Sequence, residues 1–94
     1  MKLAMVKSDY KCSGNNCDFF VTIFNEGDSL VDGYIRINAF KMVGRVKSSK
    51  EELVATKRVE FKINGNQEKV VKESIVASDE PSRLQISIGV IEGR

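Results

Sequence analysis

The chain has 94 residues, 30% charged and 41% apolar, with a formal net charge of +2; this describes one folded domain with a modest core, neither disordered nor strongly polarised in charge. It contains no histidine and no tryptophan. The commonest general base and commonest metal ligand are thus missing, which excludes hydrolytic triads, histidine-bearing zinc sites and most acid–base enzymes and leaves carboxylate, lysine, tyrosine or cysteine chemistry.

No apolar run approaches the roughly 20 residues of a membrane-spanning helix, so no span is expected. The start lacks the apolar segment of a signal peptide, and an export signal would have to have been removed. Residues 2–6 open the pattern, with Leu3 and Met5 alternating against Ala4 and Val6 as in an edge strand. Cys12 and Cys17 then bracket Ser13, Gly14, Asn15 and Asn16. This spacing is a candidate for a disulfide that closes the loop between the first two strands, with two free thiols as the alternative. A redox pair normally has two intervening residues and a four-cysteine zinc site needs a second pair. A disulfide would imply a compartment outside a reducing cytosol.

Residues 19–40 are the stretch around which the rest must pack. Two β-rich runs flank Asn25, Glu26, Gly27, Asp28 and Ser29, which favour a chain reversal. The first run is apolar on both faces, Phe19, Val21 and Ile23 on one and Phe20 and Phe24 on the other, as a central strand would be. In the second, Val31, Ile35, Ile37 and Ala39 alternate with Asp32, Tyr34, Arg36 and Asn38, the period of a half-buried strand.

The alternation weakens after Phe40, where Gly44 is a candidate bulge or the start of a seventh strand. Ser48 with Glu51, or Ser49 with Glu52, fits a capping box, so a short helical turn competes with a solvated loop before Leu53. Val59, Phe61 and Ile63 then alternate with Arg58, Glu60 and Lys62, and Asn64-Gly65 is the strongest short hairpin signal in the chain. Its expected partner strand is residues 67–77, with Val71, Ile75 and Ala77 buried. After a turn around Pro81, the sole proline, residues 84–90 alternate as Leu84, Ile86, Ile88 and Val90 against Gln85, Ser87 and Gly89. The ending Ile91, Glu92, Gly93, Arg94 matches the recognition sequence of the protease factor Xa, so residues 1–90 are read as the domain and 91–94 as a cloning scar.

These elements indicate an all-β fold, an immunoglobulin-like antiparallel β-sandwich of six to seven strands. An oligonucleotide-binding barrel is the rival, but it wants exposed aromatic residues beside basic ones, and the phenylalanines read mostly as core. Residues 21–44 resemble the FxLYD-type and related immunoglobulin-like modules of prokaryotic envelope proteins. Asn25-Glu26-Gly27 matches their turn, and Phe40 with Met42 corresponds to the start of their Phe-x-Leu-Tyr-Asp, while Val43 and Gly44 differ from its end. The resemblance implies an extracytoplasmic (periplasmic, cell-surface or secreted) adhesion, assembly or scaffold module without catalytic residues.

The expected function is accordingly a non-catalytic protein-interaction or structural module, meeting a protein partner through its end loops or an edge strand, foremost residues 2–6. No cofactor, metal or catalytic constellation is expected. Glu51 with Glu52 and Asp79 with Glu80 read as solvating loop residues, and Asp28, Asp32, Asp79 and Glu80 lack the spacing of a calcium loop. The alternative is nucleic-acid binding through the basic residues of 45–58. Tyr34, Arg36, Arg45, Lys47, Lys50, Lys57 and Arg58 make the candidate interaction surface, interrupted by Glu51 and Glu52.

Overall fold

Period-two alternation gives a strand one mainly apolar face, and two sheets meet along those faces. The computed structural model describes residues 3–44 and 50–92. Among them are six strands and no helix: β1 (Leu3–Ser13), β2 (Asn16–Asn25), β3 (Val31–Val43), β4 (Lys50–Ile63), β5 (Glu68–Val76) and β6 (Arg83–Val90). Sheet A has the order β1-β2-β5 and sheet B the order β4-β3-β6, with all neighbours antiparallel. The middle strands supply the centre of the shared core, with Phe19, Val21 and Ile23 of β2 and Ile35, Ile37 and Ala39 of β3 all buried.

The two loops with the strongest turn chemistry do not make hairpins. Residues 26–30 carry the chain from sheet A to sheet B, and residues 64–67 carry it back, so β4 and β5 are not paired. Turn residues specify that a chain can reverse, not which sheet receives the next strand. Both crossings lie at one end of the molecule and bond to each other. Asn66 N–H donates to the carbonyls of Asn25 and Gly27 at 2.9 Å each, and Asn25 N–H donates to Gln67 O at 3.0 Å. A side chain at Gly65 would put its Cβ 2.3 Å from the Asp28 backbone. Glycine is therefore required here for close approach, and Asn66, with φ 58°, takes the left-handed position instead.

Asn25 joins the two loops from inside. It is fully buried, its Nδ2 donates to Ser29 O at 2.8 Å and Ile63 O at 3.1 Å, and its Oδ1 accepts from Gly27 N–H at 2.9 Å. A buried amide with these partners is stabilising, whereas losing it strands three backbone groups out of water.

At the opposite end the expected helical turn is absent from the described residues: Lys50, Glu51 and Glu52 already lie in β4. Their pairing to Met42 and its neighbours in the β3 ladder outweighs the local cap signal. The irregularity expected at Gly44 sits deeper, where the register shifts between Ala39 and Phe40 and Val54 is left over on β4. The Val54 carbonyl accepts from Ser78 N–H at 3.0 Å, tying the β5–β6 connection to β4. A seventh strand does not occur among the described residues.

Of the five phenylalanines, only Phe19 and Phe61 are core residues. Phe20 and Phe24 lie half-buried on the outer face of sheet A, and Phe40 on the outer face of sheet B. Alternation alone allows either side of a strand to face the core. Here the small or branched partners Val21, Ile23, Ile37 and Ala39 occupy the narrow space between the sheets.

The Asn25 network leads to a direct expectation. Asn25→Ala should lower unfolding free energy by about 3 kcal/mol, from lost hydrogen bonds and stranded carbonyls, with an unchanged denaturant slope. Asn25→Asp, the same size, should cost at least as much, because it sets a carboxylate against the carbonyls of Ser29 and Ile63. Urea unfolding of the three proteins measures both; an Asp variant as stable as the parent would contradict the account.

Candidate functional site

Strand alternation sends every second side chain of sheet B away from the core. On this outer face β3 contributes Tyr34, Arg36, Asn38 and Phe40, β4 contributes Arg58 and Thr56, and β6 contributes Arg83 and Ser87. Arg36 lies directly opposite Arg58 on one side and Ser87 on the other. Like charges facing across a sheet are unfavourable, so this pair opposes folding locally. Arg58 lowers that cost by stacking over the Tyr34 ring, 4.3 Å from its centroid, and by lying 3.5 Å from Glu60. Arg36 has no ion-pair partner among the described residues.

Tyr34 is held from both sides. A Cβ on Gly89 would fall 2.5 Å from the Tyr34 ring, so the ring rests against a β6 backbone that only glycine leaves bare, while Arg58 covers it from β4. Phe40 is likewise capped by the Arg83 guanidinium, 4.6 Å from its centroid. Arg83 also grips Glu51 through Nε and through Nη2, the latter at 2.7 Å. The two half-buried aromatic rings of this face are thereby occupied within the chain.

The candidate surface read from the sequence divides. Tyr34, Arg36 and Arg58 come together. Lys57 does not join them: it pairs with the inward position Ile37, and its Nζ turns to Glu73 at 3.3 Å and Ser74 O at 2.8 Å on β5. Adjacent strand residues point to opposite faces, so Lys57 and Arg58 cannot share one. Lys50 pairs with Val43, seven residues along β3 from Arg36, or about 23 Å at strand rise. Arg45 and Lys47 lie outside the described residues. Missed from the sequence were Phe40, which continues the Tyr34, Arg36, Asn38 alternation along β3, and Arg83, which joins the face only because β6 pairs with β3; cross-strand placement of that kind has no local signal.

The edge expected to receive a partner begins at Leu3 within the described residues. Its ladder breaks between Met5 and Lys7. The four acidic residues considered for calcium divide, Asp28 and Asp32 lying before and at the start of β3 while Asp79 and Glu80 lie in the β5–β6 connection, where Asp79 binds Lys41 near the end of β3. Among the described residues no group of three or more histidine, cysteine, aspartate or glutamate side chains is arranged to hold a metal. A shallow groove of about 610 Å³ on sheet A is lined by Asp9, Lys11, Asp18, Phe20 and Lys72. Its interleaved charges, with Lys11 opposite Asp18, largely neutralise one another.

Cys12 and Cys17 are paired across the β1–β2 ladder and joined by a disulfide. Leu3 is the only buried residue of β1, and Cys17 is fully buried on β2, so the bond fastens the far end of a strand with little core of its own. Comparison of the chain with protein-family models, curated proteins and solved structures found no match.

Replacing both cysteines by alanine removes a loop closure of about six residues, which should cost about 2 kcal/mol and lower Tm by roughly 8–16 °C. Calorimetry of the variant, with alkylation and intact mass of the parent before and after reduction, checks this; alkylation of both cysteines in unreduced, denatured protein would contradict the bond.

The exposed pairs make a weaker, pH-dependent contribution. Hydrogen bonding to Lys41 holds the Asp79 carboxyl below its ordinary value of 3.8, and hydrogen bonding to Arg83 holds Glu51 below 4.5. Groups with lowered folded-state values stabilise above their ordinary values and lose that contribution as pH falls through the folded ones. Thermal unfolding below about pH 4.5 should therefore flatten against pH in Asp79→Asn/Glu51→Gln relative to the parent, more at low salt than at high. Parallel pH profiles in the two proteins would remove these pairs from the acid response.

Proposed function

We propose that this chain is a non-catalytic protein-interaction or structural module of an extracytoplasmic assembly, an immunoglobulin-like β-sandwich that holds an acidic protein partner against the outer face of sheet B. One observation carries the reading: Arg36 and Arg58 stand opposite each other at the centre of that face, with Arg36 lacking an ion-pair partner among the described residues. An arrangement that works against folding is expected where a surface serves a ligand. Two forked guanidinium groups beside Tyr34 and Asn38 suit carboxylates, which they engage through paired, charge-assisted hydrogen bonds.

The Cys12–Cys17 bond supports an extracytoplasmic setting, because such bonds persist in oxidising compartments. The resemblance of residues 21–44 to FxLYD-type envelope modules points the same way. Nucleic acid is the second reading, since the same guanidinium groups would attract phosphate. Single-strand binding relies on free aromatic faces for stacking, and here Tyr34 lies between Arg58 and Gly89 while Arg83 caps Phe40. That favours the acidic protein.

The test is a fluorescence-anisotropy titration of the folded chain with a glutamate-rich peptide, a glutamine-rich peptide of equal length and a single-stranded oligonucleotide. Binding should be confined to the acidic peptide and fall about tenfold or more in Arg36→Ala/Arg58→Ala, the loss expected for charge-assisted bonds. Preferential oligonucleotide binding that weakens steeply with salt would instead select nucleic acid. Binding of none of the three would overturn both.

A further inference from the structure

Four strands end the two sheets, and three of them are guarded against further pairing. β1 has its register break between Met5 and Lys7 and carries Lys7, Asp9 and Lys11. β4 has its extra residue at Val54 and a lysine, Lys57, at an inward position. β5 carries Glu68, Lys69, Lys72 and Glu73. Bulges and charges of this kind are how edge strands avoid joining other sheets.

β6 has none of them beyond its first residue, Arg83. From Leu84 to Val90 it holds no charge and no proline, and its ladder to β3 runs without a shift. The Ile91 N–H donates to Asp32 O at 2.9 Å, so the odd-numbered residues bond to β3 and the main-chain groups of Leu84, Ile86, Ile88 and Val90 point to the open edge. The flank is also thinly covered. Ile86, Ile88 and Val90 face inward yet are only half-buried, and Met5 and Tyr10, at inward positions of β1, remain 41% and 39% exposed.

We propose that β6 pairs antiparallel with β6 of a second copy of this chain about a two-fold axis through Ser87, joining two B sheets into one of six strands. A second copy fits because the edge is complementary to itself. In this register Leu84 meets Val90 and Ile86 meets Ile88 on the inner side, while Gln85 meets Gly89 and Ser87 meets Ser87 on the outer side. No charge opposes another along the seam. The hydrogen-bonding residues coincide as well, since Leu84, Ile86, Ile88 and Val90 present their free groups to the same set, giving about eight new main-chain bonds. The antiparallel join also brings the exposed Met5 and Tyr10 of both copies toward one seam.

The pairing extends the cationic face beyond a single chain. Arg58, Arg36 and Ser87 already occupy one cross-strand row. Ser87 against Ser87 continues that row into the second copy, setting the two Arg36 positions three strands apart, about 14 Å, on the same side of the joined sheet. An acidic partner long enough to reach both clusters would then bind through two linked contacts.

Sedimentation velocity of the full chain across a concentration series, together with Ser87→Cys and Gln85→Cys variants under mild oxidation, tests the register. Both substituted positions are exposed on the outer face, so folding should tolerate them. The parent should show a concentration-dependent monomer–dimer equilibrium. Ser87→Cys, whose sulfur meets its own copy across the axis, should form covalent dimer at least tenfold faster than Gln85→Cys, which meets Gly89. Gln85→Cys carries the same opportunity for exchange with the native disulfide and so controls for it. A parent that stays monomeric up to millimolar concentration, or equal cross-linking of the two variants, overturns the proposal. Acidic-peptide binding is read separately on the outer face, so either idea can fail alone.

Discussion

The buried Asn25 amide is the interaction on which the arrangement of the two sheets depends. It sits at the end of β2, where sheet A gives way to sheet B, and it reaches the carbonyl that ends β4, where the chain prepares to return. Its main-chain groups bind the second crossing while its side chain folds the first. Apolar burial drives the sheets together but has no direction, so it does not choose how connections pass between them. Directional bonds in a place without water make that choice, because an unpartnered alternative leaves several polar groups buried and unsatisfied.

Beyond that crossing, β3 lies in the middle of sheet B, paired with β4 on one side and β6 on the other. A middle strand commits its inner face to the core and has its outer residues flanked on both sides. This is why Tyr34 can be wedged between Arg58 and Gly89, and why Arg36 cannot escape Arg58. The face therefore combines rigid aromatic support with positive charge that the fold leaves partly unanswered. The stability that this face forgoes is supplied elsewhere, by the β2–β3 core and by the disulfide that fastens β1.

The strand pattern was largely legible in the residues. Alternation located β3, β4, β5 and β6, and a run apolar on both faces located β2, while β1 runs on to Ser13, well past the alternation read at its start. Ile35, Ile37, Ala39 and Val71, Ile75, Ala77 are buried as read, and Val31 is half-buried. The misreadings have particular causes. Asn64-Gly65 resembles a hairpin because glycine and asparagine suit any tight reversal; its glycine is needed where another loop presses against it. Phe20, Phe24 and Phe40 resemble core residues because hydrophobicity has no sign of direction along a strand. Lys57 and Arg58 are neighbours in sequence, which on a strand means opposite faces.

What the sequence by itself determined was local: the all-β character, which residues share a side of each strand, and the absence of histidine chemistry, all of which depend on side-chain type and a spacing of two. Only the tertiary structure decided which strands are neighbours, and with them the meeting of Arg58 and Arg83 with the Arg36 and Phe40 side of β3 and the bare edge of β6. Neighbour choice rests on contacts between residues far apart in the chain, above all the hydrogen bond from Asn25 to Ile63, and such contacts have no periodicity by which a sequence could announce them.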